Sequence, residues 1–221
     1  MKRIGLFPGT FDPVTLGHLD ILVRSLHLFD RMILAVAHRH HKATLFTVEE
    51  RMGMIRDALP TEVASLVEVT AFEGLLVDFA RMRKVTGIVR GLRFVSDFEF
   101  EFQMALMNQK LCPEIDTIYL MPTEKFSYLN ATLVKEVARN RGSVQGLVTP
   151  HTACRLEEKF RRMREAAAAI AGSGDTAASG STPGGAVTGG AGGAGKGNAH
   201  GKAPARTAGT RPHADKGRKR P

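Results

Sequence analysis

The 221-residue chain predicts an α/β fold: a doubly wound parallel five-stranded sheet with a disordered C-terminal tail. Three observations carry this. Five short apolar runs alternate with longer helical patterns, the signature of repeated βαβ units. Polar or Gly/Pro-containing segments follow the strand-like runs, where parallel strands leave their carboxyl ends. Composition then changes abruptly near residue 172, where a Gly/Ala-rich basic stretch begins.

The strand-like runs are Ile4–Phe7, Met32–Ala37, Val67–Ala71, Gly87–Val89 and Thr117–Leu120. The first helix is expected from about Leu19 to Phe29, with Ile21, Leu22, Leu26 and Phe29 on one side. The second starts at Thr47, where Thr47-Val48-Glu49-Glu50 has the form of a capping box, and continues to Leu59. The third spans Leu75 to Lys84, and the fourth about Asp97 to Leu111, with Phe98, Phe102, Ala105 and Leu106 on a stripe. Met104 and Met107 on that helix read as core or subunit-contact residues. The fifth runs from Ala131 to Asn140, stopped near Gly142, and a last helix spans Thr152 to about Ile170. Right-handed crossovers place helices on both faces of the sheet. The loops Phe7–His18, His38–Lys42, Phe72–Leu76, Arg90–Arg93 and Met121–Thr132 can then converge on one cleft.

The net charge of +9 is uneven. Residues 1–171 hold 23 Lys/Arg against 20 Asp/Glu; residues 172–221 hold 8 against 2. The basicity belongs mainly to the tail, so the folded part carries no nucleic-acid signature and no specific nucleic-acid partner is expected. The tail has 14 of the 23 glycines and no aromatic residue. It cannot bury enough apolar surface to offset its chain entropy, so two regions are expected: 1–171, a catalytic domain, and 172–221, a disordered basic tail. Cys112 and Cys154 stand outside any zinc or CxxC spacing and are expected as reduced thiols in a cytoplasmic protein. No apolar stretch approaches membrane-spanning length, so no membrane partner is expected.

The chemistry concentrates in Phe7-Pro8-Gly9-Thr10-Phe11-Asp12-Pro13-Val14-Thr15-Leu16-Gly17-His18. It reads as strand, tight loop, helix. Thr15-Leu16-Gly17-His18 has the form [His/Thr]-x-Gly-His and puts a histidine at the first turn of that helix. Unpaired N–H groups and the positive dipole end collect there, which suits a phosphate. The glycines are expected where backbone turns sharply or approaches a ligand closely. The segment is neither a dinucleotide-binding G-x-G-x-x-G loop nor a P-loop. Arg90-Gly91-Leu92-Arg93 can present two guanidinium forks to one polyphosphate.

These motifs, with Phe46-Thr47-x-Glu49-Glu50-Arg51, Asp97-Phe98-Glu99-x-Glu101, Leu120-Met121-Pro122 and Leu133-Val134-Lys135-Glu136-Val137-Ala138, are collinear over about residues 1–160. In that range the chain resembles the phosphopantetheine adenylyltransferase family of the [His/Thr]-x-Gly-His nucleotidylyltransferase superfamily. The resemblance implies a Rossmann-like sheet and transfer of the adenylyl group of ATP to 4′-phosphopantetheine, giving dephospho-coenzyme A and pyrophosphate. It implies His18, Lys42 and Arg90 as catalytic residues. Thr10, Lys42, Leu76 and Arg90 would bind the acceptor. Thr10, Phe11, His18, Gly91, Leu92, Arg93, Glu101, Phe126, Ser127, Tyr128, Leu129, Asn130, Ala131 and Thr132 would bind ATP. Magnesium is implied with ATP, without a dedicated protein cage, and a homohexamer is implied as the assembly.

Two segments depart from the family pattern. Leu129-Asn130-Ala131-Thr132 stands where members usually carry Ile-Ser-Ser-Ser or Ile-Ser-Ser-Thr, so two hydroxyls are missing. His38-Arg39-His40-His41-Lys42 replaces a stretch that usually resembles Asn-Pro-Ser-Lys. The histidine run reads as a solvated loop that adds positive charge near phosphates rather than a metal site. Alternatives within the superfamily are a nicotinate-mononucleotide adenylyltransferase and a glycerol-phosphate cytidylyltransferase. A non-catalytic nucleotide-binding module acting on RNA through its tail is a third, although the tail lacks RGG repeats and aromatic residues for base stacking.

Overall fold

The structure is a computed structural model, which describes residues 2–38 and 43–173. Five strands, β1 (Ile4–Gly9), β2 (Arg31–Ala37), β3 (Val67–Phe72), β4 (Gly87–Gly91) and β5 (Asp116–Leu120), form one sheet in the order β3-β2-β1-β4-β5. Every pairing is parallel. The helices are α1 (Leu16–Ser25), α2 (Val48–Ala58), α3 (Thr61–Ala64), α4 (Leu76–Met82), α5 (Val95–Leu111), α6 (Ala131–Arg139) and α7 (Pro150–Ser173), with a 3₁₀ turn at Glu124–Phe126.

Strand alternation builds two cores. Phe7, Met32, Leu34, Val36 and Val89 face one side, where α1, α2, α6 and α7 supply Leu22, Ile55, Val134 and Leu156. Leu6, Ile33, Ala35 and Ile88 face the other, against Val77 and Ala80 of α4 with Cys112 and Ile115. The chain winds outward through β1, β2 and β3, then crosses back to β4 on the far side of β1. The strand order therefore reverses between β1 and β4, and their carboxyl ends open a crevice there.

Several boundaries differ from the sequence reading. α1 begins three residues early, at Leu16, because Thr15 is its N-cap, and it ends at Ser25 rather than Phe29. Phe29 follows a turn and is buried against Gly5 and Gly87, where a Cβ would stand 2.7 and 2.9 Å from its ring. β4 runs two residues further, so Arg90 and Gly91 are strand residues rather than loop. The stripe on α5 does not face the core: Phe98, Phe102 and Leu106 are exposed. Helix α3 and the 3₁₀ turn have too few residues to show a period in the sequence. Cys112 is buried and Cys154 exposed, both free. Among the described residues no helix is long and apolar enough to cross a membrane. The segment Arg39–Lys42, and the predicted tail beyond Ser173, lie outside the described residues.

Candidate active site

A cleft of about 490 Å³ occupies the crevice between the carboxyl ends of β1 and β4. One wall is the β1–α1 loop. There the backbone turns at Phe11, with φ 48°, rather than at a glycine. Neither Gly9 nor Gly17 has a positive φ; Gly9 instead makes room, since a Cβ there would stand 2.7 Å from the Phe11 ring. That ring meets Phe7 edge-on at 5.5 Å and His18 at 5.1 Å. A left-handed non-glycine residue costs about 1–3 kcal/mol, and the ring contacts oppose that cost.

The Thr15–His18 motif is a capping box with an imidazole in the place of the usual carboxylate. The His18 N–H donates to Thr15 Oγ1 at 3.4 Å, and the Thr15 N–H donates to His18 Nδ1 at 3.0 Å. Nδ1 also lies 2.9 Å from Thr15 Oγ1. Because Nδ1 accepts from an amide, the neutral ring carries its proton on Nε2. Burial, then the charges of Arg93 and Arg90, push the His18 pKa down to about 4. The ring is thus a neutral Nε2–H donor at neutral pH, at the N-terminus of α1, where the Leu16 N–H donates to the Leu147 carbonyl and Gly17 lines the cleft.

Opposite stand the basic residues. Arg90 Nε donates to Glu101 Oε2 at 2.9 Å, its Nη2 forms a second bond to Glu101 Oε1, and Nη1 donates to the Pro8 carbonyl at 3.0 Å. One N–H on each terminal nitrogen stays uncommitted in this set, which fits a guanidinium held as a fork for an anion. Tyr119 Oη donates to the Glu101 carbonyl, steadying that partner from β5. Arg93 donates to the Leu129 carbonyl at 2.9 Å and pairs with Asp97 at 3.3 Å. The third wall is the N-terminus of α6, where Asn130 is the N-cap and its Oδ1 accepts the Leu133 N–H at 2.8 Å. Two helix N-termini and two arginines thus converge on one cleft, an arrangement for a polyphosphate. Among the described residues no three His, Cys, Asp or Glu side chains are grouped to hold a metal ion.

Comparison with known proteins agrees with this geometry. The cytidylyltransferase-like family model matches residues 6–137. Phosphopantetheine adenylyltransferase of Anaeromyxobacter dehalogenans (strain 2CP-C) is 48% identical over 162 residues, covering 73% of this chain and 98% of that protein. The enzyme of the same name from Thermodesulfovibrio yellowstonii is 48% identical over 163 residues, covering 73% of this chain and 100% of that protein. The chain belongs to the phosphopantetheine adenylyltransferase family. It is therefore a nucleotidyltransferase. The fold is shared more widely: the solved nicotinic acid mononucleotide adenylyltransferase of Plasmodium falciparum superposes with a TM-score of 0.52 at 13% identity, covering 72% of this chain and 96% of that one.

Of the positions that the family resemblance singles out, Thr10, Phe11, His18, Arg90, Gly91, Arg93, Glu101, Phe126, Leu129, Asn130, Ala131 and Thr132 line the cleft. Leu92, Ser127 and Tyr128 lie beside it without lining it. The Leu92 amide donates to Leu120, Ser127 Oγ donates to the Glu124 carbonyl, and Tyr128 is exposed. Leu76 opens α4 and packs on the second core. Lys42 lies outside the described residues. Sequence reading did not assign Asp12, Thr44, Pro122 or Lys135, which also line the cleft, nor the buried Arg51 behind it. Asp12, Arg51, Pro122 and Lys135 fall inside the quoted motifs; no period or spacing marked them as partners.

Proposed function

We propose that this chain catalyses attack of the phosphate of 4′-phosphopantetheine on the α-phosphorus of ATP, releasing pyrophosphate and forming dephospho-coenzyme A. The observation that carries the reading is the neutral His18 Nε2–H at the α1 N-terminus, facing a cleft flanked by Arg90 and Arg93. The nucleophile is already an anion, so the reaction needs no deprotonating base and no covalent enzyme intermediate. The catalytic demand is alignment of two anions and stabilisation of charge growing on the α-phosphoryl oxygens. His18 supplies a preorganised donor to those oxygens and keeps its proton throughout.

In this reading Lys42 and Arg90 hold the acceptor phosphate, Leu76 contacts the pantetheine arm, and Thr10 meets both substrates. Phe11, Gly91, Leu92, Arg93, Glu101 and the run Phe126, Ser127, Tyr128, Leu129, Asn130, Ala131 and Thr132 surround ATP. Glu101 serves that site through Arg90, which it grips with both oxygens. The acidic groups of the cleft are engaged by cations, Asp12 by Lys135 and Glu101 by Arg90. Mg²⁺ would therefore ride on the nucleotide phosphates and water, where it offsets their charge. We also infer a cytoplasmic homohexamer with a dispensable tail from residue 172; the uncovered apolar face of α5 supports self-association.

The test offers ATP with phosphopantetheine, with nicotinate mononucleotide, or CTP with glycerol phosphate, and measures pyrophosphate release. Release with phosphopantetheine at least a hundredfold faster than with the others is expected. Preference for either of the other pairs would overturn the reading.

A further inference from the structure

Asp12 is 4% exposed, and both of its carboxylate oxygens are engaged. Oδ1 accepts the Phe46 N–H at 3.0 Å. Oδ2 accepts the Leu45 N–H at 3.0 Å and the Lys135 ammonium at 2.6 Å. The donors come from separate parts of the chain. Leu45 and Phe46 end the β2–α2 connection, just before the Thr47 N-cap of α2. Lys135 lies in α6, whose first residues line the cleft. Asp12 itself follows Thr10 and Phe11 in the β1–α1 loop that leads to Thr15 and His18.

Arg51 braces the same junction from behind. It is 2% exposed, and its Nη1 donates to the carbonyls of Thr10 at 2.6 Å and Ala37 at 3.3 Å. Its Nε donates to the Thr47 carbonyl at 3.3 Å. The ends of β1 and β2 and the start of α2 are thus locked together, and Asp12 extends the lock to Lys135 of α6 at the cleft wall.

We propose that Asp12 is a positioning residue for adenylyl transfer: its buried carboxylate holds the Lys135 ammonium at the cleft wall and ties the end of the β2–α2 connection to the β1–α1 loop, keeping nucleotide and acceptor sides in register. The inference rests on the reaction assigned above. Asp12 is not a reacting group, because its oxygens are shared among three protein donors. Its effect is geometric. Thr10, Thr44 and Lys135 all line the cleft, so loosening the bridge displaces three separate stretches of its lining. A misplacement of about 1 Å can cost about 100-fold in rate. A purely structural ion pair makes a different prediction, since breaking it removes folded molecules without changing the site of those that remain.

The experiment compares the full chain with Asp12→Asn, Lys135→Met and the double variant, by steady-state kinetics in both substrates and by calorimetric titration with ATP. Asp12→Asn keeps the side-chain volume and one acceptor oxygen. It should raise the KM for each substrate about tenfold or more and weaken ATP binding, the scale of a lost charge-assisted hydrogen bond. Because Asp12 reaches the nucleotide through Lys135, the double variant should bind ATP no worse than Lys135→Met. KM values and ATP affinity within twofold of the parent, with kcat reduced only in proportion to the folded fraction, would overturn the proposal, because that is the behaviour of a merely destabilised protein. Should Asp12→Asn fail to fold, Asp12→Glu keeps the charge and shifts it by one methylene; parental KM and kcat values there would also overturn it. If the parent uses no phosphopantetheine, the assigned reaction falls, and the ATP titration still decides: equal affinity in parent and variant sinks the clamp.

Discussion

His18 has a defined tautomer because a backbone amide fills its Nδ1, and that makes two outcomes checkable. His18→Ala should lower turnover about 100- to 1000-fold, the usual cost of one preorganised donor, with the fold retained. A loss below about tenfold at saturating substrates would remove His18 as the main stabiliser of the transition state. Its titration is the second outcome. With the folded pKa at about 4, below the ordinary 6.5, the unfolded chain takes up a proton first as pH falls. The fold's advantage at this residue is complete above pH 6.5, shrinks between 6.5 and 4, and is lost below that. Imidazole nitrogen shifts in the ligand-free protein should show a neutral Nε2–H form persisting at pH 5.5. A midpoint near 6.5 would mean that neither burial nor Arg93 and Arg90 acts on the ring as described.

At the scale of elements, the N-terminus of α6 is where the resemblance expects serines and this chain has Asn130 and Ala131. Asn130 answers part of that loss by capping the helix through Oδ1, which leaves its amide nitrogen free to donate. Asn130→Ala should cost about 1 kcal/mol of stability through the lost cap and weaken ATP binding with it. Ala131→Ser should leave the KM for ATP unchanged or lower it. Titration showing undisturbed ATP affinity in Asn130→Ala beside a large gain in Ala131→Ser would assign the compensation elsewhere. Such local chemistry was legible in the sequence, because caps, turns and the [His/Thr]-x-Gly-His box act within three or four residues. So was the order of strands and helices, which follows from hydrophobic period. The bridges were not legible: Asp12 and Lys135 are 123 positions apart, and Thr10 and Arg51 are 41 apart. Only the folded crossover brings them together, and a carboxylate that caps two amides looks in sequence like any loop aspartate.

For the whole molecule, α5 poses the sharpest question. Its sequence carries an apolar stripe, yet both cores close without it. Val95 is 89% exposed and Phe100 61%, and Phe98 and Phe102 stack on each other at 5.6 Å in the open. With Leu106 and Met107 also uncovered, the helix exposes large apolar side chains on more than one side, an amount that monomers rarely leave to water. The self-association inferred above would cover them, because every copy carries the same side chains. Truncation after Ser173 should therefore leave both the assembly and the activity in place, since α5 lies far from that end in sequence. The combined substitution Phe98→Glu with Leu106→Glu should instead break the assembly while the two sheet-packed cores stay folded, as those side chains contribute to neither. Like charges brought face to face at a buried contact repel and lose hydration together. Mass photometry should then find particles near the single-chain mass of 24.0 kDa in place of the oligomer inferred for the parent. An unchanged particle mass in the double variant would show that the copies meet through another surface, and loss of the oligomer on truncation would place the contact in the tail.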